Sequence, residues 1–120
     1  VTRVSETVGF CNALELKQRL DQGDYLTVLD VREDDERAYA SIPVPASLVD
    51  LHVPLGEVRD RLEEIRAAAE GRPLVVYCHH GQRSMVAATW LARQGLGDLM
   101  NLEGGIDAWS TGVDSKVGRY

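Results

Sequence analysis

Cysteine is scarce in this chain: Cys11 and Cys78 are its only two. Neither has a second Cys or His pair at zinc-ligand spacing, so no metal site is expected. Two cysteines make no disulfide framework, and a reducing, cytoplasmic setting is the expectation. Basic charge is also in short supply. Against 19 Asp and Glu there are 13 Lys and Arg, a net charge of -6, which argues against a nucleic-acid footprint and against an anionic membrane surface. No apolar run approaches the length of a membrane span, and the N-terminus lacks the basic-then-apolar layout of a signal peptide. The first residue is Val1 rather than Met, which suits a trimmed chain or a piece of a longer one.

What is present is ordinary for a globular domain. Apolar residues make up 44% and charged residues 27% of the 120, enough for one core. A single domain over residues 1–120 is expected, with an extended tail at 112–120. Asn12 with Glu15 three residues on reads as a capping box, and Leu14, Leu16 and Leu20 follow it to a stop near Gly23. Residues 26–31 (LTVLDV) and 74–77 (LVVY) read as buried strands, and 48–53 and 99–102 as shorter ones. Acidic residues from Glu33 to Glu36 suit the first turn of a small helix. Leu55, Val58, Leu62, Ile65 and Ala69 recur at helical spacing, as do Met85, Ala88 and Leu91 in a helix over 84–94. Gly104 and Gly105 turn the chain into a last short helix carrying Ile106 and Trp109. Trp90 and Trp109 read as core. Strands alternating with helices predict a three-layer α/β fold with a mostly parallel central sheet.

Chemistry concentrates in Cys78-His79-His80-Gly81-Gln82-Arg83-Ser84, which leaves the most strand-like segment and enters a helix. Ligands in such sheets sit outside the carboxyl ends of strands. A sulfur beside helix-terminal N–H groups and a positive dipole end has its thiolate favoured. Gly81 permits the backbone angles that turn consecutive N–H groups inward as an anion cradle. Arg83 is a fixed charge with forked donors suited to sulfonate-like oxygens. His79 and His80 could add donors at the rim, or simply lie in solvent. Cys11 has no such context and reads as a packed or partly exposed thiol.

The loop CHHGQRS after LVVY resembles the active-site loop of the rhodanese family. LDVRE at Leu29, HVPLGEV at His52 and NLEGGIDAW at Asn101 follow in family order, so the resemblance covers nearly the whole chain. It implies a rhodanese-like fold and a sulfurtransferase. Cys78 would take sulfane sulfur from a small donor such as thiosulfate and pass it to a thiol or cyanide, or to a sulfur-carrier protein, with no cofactor. It further implies that Arg83, His79, His80, Gly81, Gln82 and Ser84 surround the substrate, and that Asp30 and Arg32 are scaffolding. Two stretches depart from the family pattern. Residues 40–46 read ASIPVPA where a Gly-His-Ile-Pro-Gly-Ala stretch is usual, and the second and third loop positions are histidines. The tail at 112–120 is similar to those of rhodanese domains fused to sulfurylases and to those of stand-alone bacterial forms.

Rival readings stay open. A phosphatase or arsenate reductase also uses a loop cysteine and arginine, but with five residues between them to fit a tetrahedral phosphate. Here there are four, His79 to Gln82, which favours a single sulfur atom. A sulfur-relay domain serving partner proteins, or a non-enzymatic interaction module, are further alternatives. The second has no need of the nucleophile, Gly81 and Arg83 together.

Overall fold

A computed structural model describes residues 8–120. Five short strands form one parallel sheet: β1 (Gly9–Cys11), β2 (Thr27–Asp30), β3 (Val49–His52), β4 (Leu74–Tyr77) and β5 (Leu99–Leu102). Their order is β1-β5-β4-β2-β3. The β4 segment shows why the central strands read as unbroken apolar runs. Leu74, Val76 and Cys78 pack into one core layer and Val75 and Tyr77 into the other, because successive side chains of a strand buried on both faces alternate between two interiors.

Five helices cover the two faces: α1 (Ala13–Gln22), α2 (Asp34–Tyr39), α3 (Leu62–Ala68), α4 (Gln82–Arg93) and α5 (Gly105–Gly112). Leu16 and Leu20 of α1 and Ile106 and Trp109 of α5 line one core. Ile65 of α3 and Ala87, Ala88 and Leu91 of α4 line the other. Three layers result, as expected. The capping box at Asn12 is formed on both sides, with Asn12 Oδ1 accepting the Glu15 N–H and Glu15 Oε1 accepting the Asn12 N–H, each at 2.8 Å. Such a cap is worth about 1 kcal/mol. The left-handed Gly23 closes the helix.

Several expectations need correction. The strand β1 leaves no mark in the sequence pattern, since three residues at a sheet edge carry no period. The apolar series from Leu55 to Ala69 is not one helix. A 3-10 turn at Leu55–Glu57 precedes α3, and Arg61 lies outside helical angles between them. The periodicity was right about the side, since Val58 and Ile65 are both buried, but not about the hydrogen-bond ladder. Leu14 faces solvent at 59% exposure. Trp90 is half-buried, with the Arg59 guanidinium 5.5 Å above its ring. The fourth helix starts at Gln82, two residues before the expected Ser84.

The sheet order places a switch point between β2 and β4. From β2 the chain crosses towards β3 at one edge, and from β4 it crosses towards β5 on the other side. Loops leaving the carboxyl ends of these two neighbours diverge and leave a crevice between them. Cys78 follows β4 there, and α2 follows β2.

Candidate active site

The scaffold of the crevice is set by Asp30 and Arg32, both wholly buried. Arg32 donates from Nε and Nη2 to the two Asp30 oxygens at 2.8 and 2.7 Å, and from Nη2 to the Ala40 carbonyl at 2.7 Å. This ties the end of β2 to the far end of α2. Removing one partner would leave a buried charge, at a cost of about 3–5 kcal/mol. Both side chains are spent on holding these two segments together.

Cys78 is the first residue past β4 and is 1% exposed. Its Sγ accepts the N–H of Gly81 at 3.1 Å and of Ser84 at 3.3 Å, and it lies 3.3 Å from Ser84 Oγ. The Ser84 hydroxyl donates to Asn101 Oδ1 at 2.5 Å. Asn101 Nδ2 in turn donates to the Gly81 carbonyl at 3.1 Å. One buried amide thereby fixes both ends of the cradle. Asn101 was not among the expected site residues, although a signal existed: it is the polar member of the apolar strand LMNL.

Two glycines make the loop possible. Gly81 has φ +106, a conformation that side chains rarely adopt. A Cβ on Gly105 (φ +59) would stand 2.4 Å from the carbonyl oxygens of both Cys78 and His79. That closeness has a purpose, since the first N–H groups of α5 are spent on the loop. Ile106 donates to the Cys78 carbonyl at 2.9 Å and Asp107 to the His79 carbonyl at 3.0 Å. Helix-terminal donors without an intrahelical partner thus hold the loop's outer edge.

The remaining expected residues form the rim. Gln82 and His80 are exposed, and Arg83, His79 and Gly81 are partly so. Ser84 lies beneath the rim, against the sulfur, and is wholly buried. The His79 ring is sandwiched between His80 and Tyr120, each at 3.9 Å between centroids. Burial first, and the neighbouring His80 second, hold the His79 imidazole below its ordinary range, so it adds no fixed positive charge near neutral pH. His79, His80 and Asp107 bring three donor atoms within 4.8 Å of one another. Arg119 occupies the Asp107 carboxylate at 2.8 Å.

Arg83 does not stand free. Its Nη1 and Nη2 donate to the two oxygens of Glu36 at 2.6 and 2.8 Å, across the switch point. Sequence alone had no means to find Glu36, because the pair joins residues from two crossovers. An open cavity of about 720 Å³, lined among others by Arg66, Arg72, Pro73 and Asp98, lies at the opposite pole and contains none of these groups.

The family profile described as "Rhodanese-like domain" matches residues 12–111. The chain belongs to the rhodanese-like family. It is 36% identical over 95 residues to a sulfurtransferase of Allochromatium vinosum, covering 79% of this chain and 81% of that protein. It is 37% identical over 91 residues to the thiosulfate sulfurtransferase GlpE of Pseudomonas syringae, 76% of each chain. A putative sulfur carrier protein of Bacillus subtilis, YrkF, matches at 36% over 94 residues, 78% of this chain but 46% of its own length. Among solved structures, a rhodanese-related protein from Thermoplasma volcanium superposes with a TM-score of 0.69 at 31% identity, covering 86% of this chain and 91% of that one. Sulfur transfer is therefore the activity of the family to which this rhodanese-like chain belongs. No helix among the described residues is long and apolar enough to cross a membrane.

Proposed function

We propose that this protein is a sulfurtransferase that carries sulfane sulfur as a persulfide on Cys78. The observation that carries the reading is the Sγ of Cys78 facing the N–H groups of Gly81 and Ser84 at the carboxyl end of the sheet. Donors already aimed at a sulfur atom stabilise a thiolate, and then a bound persulfide, without reorganisation. The Cys78 thiolate attacks the outer sulfur of a donor R–S–S⁻ or of thiosulfate. A new S–S bond forms to Cys78, the donor's S–S bond breaks, and the thiolate or sulfite leaves with the electron pair. A nucleophilic acceptor, a thiol or cyanide, then takes the outer sulfur and returns the thiolate. Gly81 and Ser84 hold the charge in both steps, and Asn101 keeps them in place. Arg83, His79, His80 and Gln82 form the surface that donor and acceptor meet, and no cofactor takes part. A sulfur-carrier protein is a fitting acceptor, in line with the name of the Bacillus relative.

The test sets thiosulfate with cyanide against p-nitrophenyl phosphate. Formation of thiocyanate with little hydrolysis of the phosphate ester is the expected result. Efficient hydrolysis without any acquired sulfur would replace this reading with a cysteine-dependent phosphatase.

A further inference from the structure

Among the described residues, Arg83 is a fixed cation at the rim of the loop, and a carboxylate covers it. Glu36 meets Arg83 through both of its oxygens. It is itself held from two more directions. Oε1 also accepts the Glu33 backbone N–H at 3.0 Å, and Oε2 accepts the Tyr120 hydroxyl at 2.8 Å. The Tyr120 oxygen accepts Arg32 Nη1 at 2.9 Å, so the clamp on Glu36 is anchored in the buried Asp30–Arg32 pair.

The tail that delivers Tyr120 is docked rather than loose. Ser110 Oγ donates to the Val117 carbonyl at 2.6 Å in a buried contact. Tyr39 donates to the Arg119 carbonyl at 3.3 Å, and its ring meets that of Tyr120 edge-on at 5.7 Å. Bonded to Arg83 first, and against the cost of burial also to the Glu33 N–H and the Tyr120 hydroxyl, the Glu36 carboxyl is held down at about 2. It stays charged near neutral pH. Its neighbours in the first turn of α2, Asp34 and Asp35, add negative charge, while the nearby Arg119 is taken by Asp107.

We propose that Glu36, clamped by Tyr120, is a specificity-determining residue: it screens Arg83 and so disfavours small dianionic donors such as thiosulfate relative to sulfane sulfur presented on an uncharged or cationic carrier. The inference rests on the sulfur-transfer reading and deepens it. A dianion approaching Arg83 must either displace a carboxylate held by four hydrogen bonds or accept a site whose positive charge is already balanced. A carrier that brings its own cation meets the carboxylate favourably.

The test compares thiosulfate with cysteamine persulfide, whose ammonium group is cationic, in steady-state transfer to cyanide. Glu36→Gln should raise kcat/KM for thiosulfate by about three- to tenfold through KM, since one screened charge near the surface is released. Added salt should shrink that gain. The cysteamine persulfide value should stay level or fall. Tyr120→Phe, which removes only the hydroxyl, should move both donors the same way by less, and it serves if Glu36→Gln fails to fold. Arg83→Ala should raise the thiosulfate KM, and the double variant Glu36→Gln with Arg83→Ala should return towards wild type, because the rim charge is again balanced. If thiosulfate turnover stays unchanged or falls in folded Glu36→Gln and Tyr120→Phe while the wild type is active, Glu36 positions Arg83 instead of screening it. If no protein, wild type included, moves sulfur from either donor, the sulfur-transfer reading itself fails.

Discussion

The chain builds two junctions of the same kind, and they differ in what fills the start of the helix. Cys11 ends β1 and leads into α1, and Cys78 follows β4 and leads into α4. Both thiols are free and nearly fully buried, at 4% and 1% exposure. At the first junction the Asn12–Glu15 capping box consumes the open N–H groups. Burial first, then the Glu15 carboxylate, push the Cys11 thiol up to about 11, where it is inert near neutral pH. At the second junction no side chain caps the helix. The N-cap is Gly81, and the Ser84 N–H, three residues in, goes to the Cys78 sulfur. Sulfur stands where a cap oxygen normally would. Burial is common to the two cysteines, so burial alone does not make a nucleophile. What sets Cys78 apart is that its sulfur accepts the N–H groups of Gly81 and Ser84.

Breaking the second junction should have the largest effect. Cys78→Ser keeps the fold, since a serine caps a helix well, yet it should abolish sulfur transfer, because a hydroxyl is a far poorer nucleophile and holds no persulfide. Measurable turnover in that variant, checked for trace thiol, would contradict the assignment. One glycine inserted after Gly81 should come next. It moves the Gly81 and Ser84 donors apart, and misplacement by about an ångström costs on the order of a hundredfold in rate. Transfer at the wild-type rate would show that the length of the loop is immaterial.

Asn101→Ala should be milder. It releases the Gly81 carbonyl and the Ser84 hydroxyl together, and a loss of about tenfold in kcat with a smaller change in KM is expected from a loosened cradle. A shift in KM alone would mean that Asn101 shapes the rim rather than the donors. The smallest effect belongs to Cys11→Ser. Its junction is already closed by side chains, and activity should stay within about twofold, with a modest loss of thermal stability from a buried hydroxyl. Lost activity with an unchanged circular dichroism spectrum would remove the contrast between the junctions.

Much of this was legible in the residues. The capping box at Asn12, the strand LVVY and the glycine-containing loop after Cys78 are local signals, and local hydrogen bonding realises them as read. The illegible parts depend on distant segments. Glu36 lies 47 residues before Arg83 and meets it only because β2 and β4 are neighbours in the sheet. Tyr120 reaches the same carboxylate from a tail whose docking needs Tyr39 and Ser110. Gly105 could be read as a turn, but the reason no Cβ fits there is the carbonyl pair of Cys78 and His79, which folding brings against it. The break between Leu55 and Leu62 escaped for a different reason. Apolar spacing reports the side that faces the core, and a 3-10 turn keeps that side while interrupting the ladder.

The contrast between the two cysteines is tested most directly by locating the sulfur. The protein is incubated with excess thiosulfate or cysteamine persulfide, and its intact mass and peptide masses are then measured. One added sulfur atom is expected, carried by the Cys78 peptide and removed by cyanide, with Cys11 still a free thiol. Sulfur found on Cys11, or on neither cysteine with both donors, would contradict the claim that open helix-terminal donors make Cys78 the carrier.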